Sequence, residues 1–386
     1  MAISTIIGQA ATGDNFYRRD ELVENLWGKL KNGHHVLITA PRRVGKTSVL
    51  KYLQDNPIVN YEPVYIITES VNNANEYFRK VFKELVQLLS GSKKIGTQLK
   101  ELIKSKKITS ITLEGLTIDD NQIDYFNELH LVIDQLDLGD TRIIFIVDEF
   151  AQTVENIIED EGVENGKKFL EQNREIRHRT SLSDKILFVY AGSIGIENIV
   201  SKINLVNSIN DLYPFNIPPF TPEEAHGLID KLTSDTNWTL DQTTKDHLIE
   251  RLKWLVPFYI QIILDELDKS EDLEKKQIDQ KDIDWAINQA IQKRVYFEHW
   301  YTRLRKAYKG NDFKFAKEVL NVTSDQDVIT SYEIVDLATK YEIEEDFREI
   351  INALTHDGYI NNSQNPKEYL YNSPLLRIWW KSNVNF

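Results

Sequence analysis

The run Val36-Leu-Ile-Thr-Ala-Pro-Arg-Arg-Val-Gly-Lys-Thr-Ser48 joins four apolar-to-neutral residues to a turn of small and cationic ones. A strand of this composition belongs inside a sheet covered on both faces. The turn after it has what a phosphate-binding loop needs: small residues, so that several backbone N–H groups face one anion, then a Lys for the outer phosphates and a hydroxyl for Mg²⁺. Lys46 and Thr47 occupy those two positions, and Gly45 lets the backbone come close. Arg43, Val44 and Ser48 complete the set of nucleotide-binding residues, and Thr47 is also a metal ligand. The pattern G-x-x-x-x-G-K-[ST] has Ala40 where its first Gly should be. Alanine there costs little if the backbone stays at negative φ, and Pro41 biases Ala40 toward an extended conformation.

Further along, Ile143-Ile-Phe-Ile-Val-Asp148-Glu149 supplies an apolar strand with two carboxylates at its end. In open α/β sheets that edge is where ligands sit. Asp148 is expected in the Mg²⁺ shell, through water, because Mg²⁺ takes few protein ligands. Glu149 is the candidate to position or deprotonate an attacking water; the alternative is a helix-start carboxylate favoured by the dipole. Ser193, in Val189-Tyr-Ala-Gly-Ser-Ile-Gly195, follows another strand and is a candidate partner of the γ-phosphate or the water, or else a simple turn residue. Lys46, Glu149 and Ser193 are thus the catalytic candidates. Arg42 and Arg43, and the cluster Arg174, Arg177, His178 and Arg179, are candidates for an arginine that stabilises transition-state charge or pairs with surface acids.

Bulk properties narrow the alternatives. A chain of 386 residues predicts two or three domains. No stretch approaches the roughly 20 apolar residues of a membrane helix, and the N-terminus lacks the pattern of a secretory signal. There is no cysteine, which excludes disulfides and thiolate metal sites and fits a cytoplasmic location. The net charge of −14 opposes non-specific nucleic-acid binding. The His residues show no metal-ligand spacing, and no Ser–His–Asp or Cys–His arrangement is visible.

Periodicity predicts a helix over 15–31 with Asp14 as its cap, strands over 35–39, 63–68, 142–147, 185–191 and 212–217, and helices over 47–54, 76–89 and 123–138. The lysine-rich stretch Lys93–Lys107 leads into an alternating run, 108–118, that suggests a hairpin. Strands alternating with helices predict a parallel sheet covered on both faces. After Pro218-Pro219 the chain reads as helical, starting at Thr221-Pro-Glu-Glu224, an N-cap with a carboxylate three residues on. Helices near 297–308, 313–320, 331–340 and 345–356, then strands at Gly358-Tyr-Ile and Glu368–Tyr371, give the pattern of a winged helix. The fold class is α/β: a parallel-sheet phosphate-loop core over 1–218, a helical lid over 219–295 and a winged-helix-like domain over 296–386.

The segments Phe16-Tyr-Arg-Arg19-Asp-Glu21, Ala40–Ser48, Asp148-Glu-Phe150 and Ala191-Gly-Ser193 resemble the archaeal-type ATPase family, within the AAA+/STAND branch of P-loop NTPases. The resemblance continues through Tyr213–Leu232, Val256-Pro257-Phe-Tyr-Ile260 and Gly358-Tyr-Ile to Ser373–Trp380, nearly the whole chain. It implies an ATPase with ATP and Mg²⁺ as cofactors, and an adenine held by Phe16, Tyr17 and Arg19 on one side and by the lid proline, Pro257, on the other. The chain departs from the family at Arg18, often Gly, and at Leu255-Val256, often a Gly pair. The first expectation is an ATP-driven switch that moves the lid and winged helix, with a protein partner or self-association through the core and winged helix. The alternative is an ATP-gated DNA-binding protein acting through the winged helix or Lys93–Lys107. Against it, 344–356 (Glu-Glu-Asp-Phe-Arg-Glu-Ile-Ile-Asn-Ala-Leu-Thr-His) is acidic, and phosphate contacts need cations.

Overall fold

A computed structural model describes residues 3–91, 111–112, 115–116, 123–135, 137–179, 185–192, 195–270 and 277–385. Packing groups the chain into two units: Asp20–Thr39 with Val49–Asn216, and Met1–Arg19 with Ala40–Ser48 and Ile217–Phe386.

The first unit is built on a parallel sheet of β1 (Val36–Thr39), β2 (Tyr61–Ile67), β5 (Arg142–Asp148), β6 (Ile186–Gly192) and β7 (Tyr213–Asn216), ordered β2-β5-β6-β1-β7. The short strands β3 (Ile111–Thr112) and β4 (Gly115–Leu116) pair antiparallel, as the alternating run predicted. All of Lys93–Lys107, and the rest of Ile108–Ile118, lie outside the described residues. Residues Ile143–Val147 and Ile186–Ala191 are all buried, as central parallel strands must be when helices cover both faces. Those helices are α1 (Asp20–Lys31), α2 (Lys46–Asp55, which enters from the loop), α3 (Ala74–Gly91), α4 (Tyr125–Gln135), α5 (Phe150–Glu161), α6 (Val163–His178) and α7 (Ile196–Lys202). The α5–α6 pair goes beyond the elements predicted from periodicity, because α6 is rich in charged residues and shows only a thin apolar stripe.

Two local interactions tie the lower edge of this sheet. Arg177 is buried and donates to both carboxylate oxygens of Asp211 at 2.7 and 2.9 Å and to the Ser208 carbonyl at 2.6 Å. His35 accepts the Phe188 N–H on its Nδ1 at 3.1 Å, completing the β6 edge just before β1 begins. Burial first, and then the Arg177 charge, pull the His35 pKa down to about 4 from 6.5. Between those values the unfolded chain holds more protons than the folded one. The contribution of neutral His35 is therefore complete above pH 6.5 and is lost as pH falls toward 4, on the order of 3 kcal/mol. Replacing His35 by Gln, whose carbonyl also accepts an N–H, should flatten that slope. Urea unfolding at pH 7.5 and 4.5 checks this: an unchanged stability gap between wild type and His35→Gln at the two pH values refutes it.

The second unit is mostly helical. Its N-terminal segment departs from the predicted helix: residues Gly13–Asn15 form a 3-10 turn containing Asp14, and regular helix starts only at Asp20. Between the turn and the helix, the Arg19 guanidinium donates to Glu224 Oε1 at 2.8 Å and to the Pro218 carbonyl at 2.7 Å, long-range bonds that compete with a weak local helix preference. Helices α8 (Pro222–Thr233), α9 (Gln242–Leu252), α10 (Pro257–Asp268) and α11 (Gln280–Gln292) follow, with a two-residue parallel pair, β8 (Thr239–Leu240) and β9 (Gln277–Ile278). The expected cap at Thr221 is a full capping box: its hydroxyl accepts the Glu224 N–H and Glu224 accepts the Thr221 N–H. Then come α12 (Arg294–Ala307), α13 (Gly310–Gln326), β10 (Val328–Thr330), α14 (Ser331–Lys340), α15 (Phe347–His356), β11 (Ile360–Asn362), β12 (Glu368–Tyr371) and α16 (Pro374–Asn383). The three strands β10, β12 and β11 pair antiparallel in that order, in the stretch of chain that also holds α13–α15. The Trp-rich end is a helix, capped by the Ser373 hydroxyl on the Leu376 N–H. It buries Trp379 against Phe297 and Trp380 against Tyr301 and Tyr359, and such aromatic burial supplies much of a small domain's apolar stabilisation.

Candidate functional site

Strand β1 ends at Thr39, and the loop 40–45 separates it from α2. Ala40 is buried and absent from the positive-φ residues, so the missing glycine of the motif costs no strain. Left-handed backbone falls instead at Arg43 (φ 72°) and Gly45 (φ 94°). Alternation of right- and left-handed residues turns successive N–H groups to one side and makes an anion nest. Space around Gly45 is open, so it is the backbone angle that calls for glycine there. Helix α2 starts at Lys46, and the N–H groups of its first turn lack intrahelical acceptors and carry the positive end of the dipole. Lys46, Val44 and Ser48 are buried and Thr47 half-buried. These residue types and backbone angles fit a polyphosphate.

In the sheet unit, Asp148 ends β5 and is buried. Its Oδ2 accepts the Tyr65 hydroxyl at 2.7 Å, and its Oδ1 accepts the Glu149 N–H at 3.0 Å. Its carbonyl takes the N–H and hydroxyl of Thr68 at 3.1 and 3.0 Å. The carboxylate is therefore oriented from two directions, as outer-shell groups orient a metal ligand. Tyr65 was not a sequence candidate. The only hint of it was a hydroxyl inside the apolar run Pro63–Ile67, and finding its partner needed the β2–β5 register, which pairs Ile67 with Asp148. The Lys51 ammonium, on the continuation of α2, lies 5.8 Å from the Tyr65 ring centre.

Glu149 follows in a left-handed conformation (φ 59°, ψ 35°) as the N-cap residue of α5, with no side-chain cap hydrogen bond. A non-glycine residue here carries backbone strain, and such strain concentrates at functional positions. Strand β6 reaches the same sheet edge, pairing Ala191 and Gly192 with Ile38 and Thr39. Ser193, the next residue, lies outside the described residues. Of the arginine cluster, Arg177 is committed to Asp211, and Arg179 pairs with Asp134 at 2.5 Å.

The expected adenine residues lie in the second unit. Phe16 follows the 3-10 turn, and the Tyr17 ring sits 5.4 Å from that of Phe220, with the Lys231 ammonium 4.9 Å from its centre. Pro257 is half-buried at the first position of α10. Arg19 is placed differently from an open ligand: its buried side chain is bound to Glu224 and to the Pro218 carbonyl.

A parallel sheet whose loop-bearing strand lies between β6 and β7, with an acidic residue ending the strand beyond β6, is the P-loop NTPase fold. The chain is similar over 97% of its length, and 99% of the other, to the solved Walker-type ATPase of Pyrococcus abyssi, at 16% identity and a TM-score of 0.65. It is also similar to the ORC2 protein of Aeropyrum pernix, solved as ADPNP–ADP complexes, over 93% and 91% of the two chains, at 11% identity and a TM-score of 0.55. No protein-family model and no curated protein matches the chain. Among the described residues no helix is long and apolar enough to cross a membrane.

Proposed function

We propose that this protein is a Mg²⁺-dependent ATPase whose nucleotide state switches its helical and winged-helix-like parts. The single observation carrying this is the left-handed pair Arg43 and Gly45, leading directly into a helix that begins Lys46-Thr47-Ser48. In this reading the amides of Arg43–Ser48 hold the outer phosphates and the Lys46 ammonium neutralises them. Thr47 and Asp148 hold Mg²⁺, Asp148 through water. Mg²⁺, when bound, screens the phosphate charges as the terminal bond breaks. Glu149 takes the proton of the attacking water, and Ser193 hydrogen-bonds that water or the γ-phosphate. Phe16, Tyr17, Arg19 and Pro257 flank the adenine. The proposed division stays at 1–218 for the core, 219–295 for the lid and 296–386 for the C-terminal domain.

The partner is proposed to be a protein, another copy of the chain included. A DNA-binding role is less favoured, because Glu344, Glu345, Asp346 and Glu349 are exposed around the start of α15, with Arg348 as the one cation among them. Carboxylates there repel a phosphate backbone.

Equilibrium binding of a fluorescent ATP analogue with Mg²⁺ or EDTA, together with phosphate release, tests the proposal. Wild type should bind more tightly with Mg²⁺, and Asp148→Asn should lose roughly tenfold or more of that gain. Absence of nucleotide binding by wild type in either buffer rejects the function.

A further inference from the structure

Strand register brings Tyr65 to Asp148. In the parallel pairing of β2 with β5, Tyr65 stands opposite Ile146 and Asp148 comes two residues later. Alternate residues of a strand share one face, so Tyr65 and Asp148 lie on the same side of the sheet, offset by a distance that a long side chain can cross. The Tyr65 hydroxyl donates to Asp148 Oδ2 at 2.7 Å, while the Glu149 N–H donates to Oδ1 at 3.0 Å. Two donors, one on β2 and one at the entry to α5, thus hold the two oxygens of one carboxylate. It cannot turn about its own axis without disturbing both bonds. The backbone beneath is fixed as well: buried Thr68 gives its N–H and hydroxyl to the Asp148 carbonyl, and the Thr153 hydroxyl donates to that of Thr68 at 2.8 Å. Of the two donors to the carboxylate, Tyr65 is the one a substitution can remove, since Phe fills the same space and lacks only the hydroxyl.

We propose that the Tyr65 hydroxyl makes the site select Mg²⁺ over Ca²⁺ in the bound nucleotide complex. The inference rests on the Mg-ATP reading above and names what sets its metal preference. Mg²⁺ gives up its waters reluctantly and holds them in a strict octahedron, so what it needs from Asp148 is an acceptor aimed in a fixed direction at a metal-bound water. A carboxylate held at both oxygens is such an acceptor, because each oxygen can still take a further hydrogen bond. Ca²⁺ takes roughly six to eight oxygens in flexible geometry and draws carboxylates in through one or both of theirs. Turning Asp148 toward that ion would break its bond to Tyr65, so the hydroxyl penalises Ca²⁺ and not Mg²⁺. Without it the carboxylate pivots on its bond to the Glu149 N–H: Mg²⁺ loses a fixed acceptor and Ca²⁺ gains a ligand. Tyr65 is a positioning residue, since it acts through Asp148.

Fluorescence titration of N-methylanthraniloyl-ATP against the full chain, in saturating Mg²⁺, saturating Ca²⁺ or EDTA, reads the effect without turnover. Wild type should bind the Mg²⁺ complex more tightly than the Ca²⁺ complex. Tyr65→Phe should shrink that ratio roughly tenfold, the lower end of what an outer-shell partner contributes to metal affinity, and leave binding in EDTA unchanged. In an Asp148→Asn background the same substitution should not alter the ratio, because its effect passes through the carboxylate. The selection is overturned by a wild type without preference, by a Tyr65→Phe ratio within about twofold of wild type, or by an effect that persists in the Asp148→Asn background. A loss equal in all three buffers also overturns it, since that marks a merely structural role. Should Tyr65→Phe not fold, p-aminophenylalanine at position 65, a weaker donor of the same shape, decides: a smaller ratio supports the selection and an unchanged one overturns it. A wild type that binds the probe in no buffer overturns the Mg-ATP reading instead, a result distinct from normal binding with an unaltered ratio.

Discussion

Lys46→Ala is expected to lower affinity for Mg-ATP by roughly 100-fold, about 3 kcal/mol, and to abolish measurable turnover. The magnitude follows from the environment of this lysine. It is the first residue of α2 and only 6% exposed, so its ammonium meets the phosphates where water screens little. An exposed lysine in the same role would contribute far less. Isothermal titration with ATP and phosphate-release assays on the purified variant measure both effects, with a thermal melt to show that the fold survives. Affinity within threefold of wild type would remove the phosphate loop from the account.

Glu149→Gln should separate binding from chemistry. The amide keeps the size and hydrogen-bonding reach of the carboxylate but cannot accept the proton of a water nucleophile. Turnover should fall on the order of 100- to 10,000-fold, the usual contribution of a positioned general base, while ATP affinity stays close to wild type. The strained backbone at Glu149 is the structural reason to expect a functional rather than a capping role, since a capping carboxylate would adopt extended geometry and bond the helix amides. Single-turnover hydrolysis at saturating ATP reads the chemical step directly. A Gln variant that hydrolyses ATP at the wild-type rate would reassign Glu149 to helix-end electrostatics.

Much of the core was legible because its signals are local. The apolar runs ending at Thr39 and Asp148 are strands in either environment; Pro41 follows the end of the first, and the carboxylates Asp148 and Glu149 mark the end of the second. The capping box at Thr221–Glu224 could be read from residue spacing alone, and the structure forms it. The Asp14 cap failed for a reason spacing cannot carry: Arg19 is recruited by Glu224, 205 residues away in sequence. That long-range pair outweighed a weak local helix preference at 15–19. Helix α6 escaped for the opposite reason, an apolar stripe too thin to register as a period.

At the candidate site the division is similar. Lys46, Thr47, Asp148 and Glu149 are named by motif, because phosphate and Mg²⁺ chemistry admits few residue types at few spacings. Tyr65 and Thr68 are visible only once β2 lies against β5 and the register sets Ile67 opposite Asp148. The positive φ of Arg43 and Glu149 and the seat of Pro41 on Gly358 likewise came only from the folded chain. The linear order of residues determined which groups can bind phosphate, since that depends on side-chain type and short-range backbone freedom. Tertiary structure alone decided which groups orient them and what packs behind the loop, since those contacts join residues 80 or more positions apart whose meeting depends on the packing of the fold.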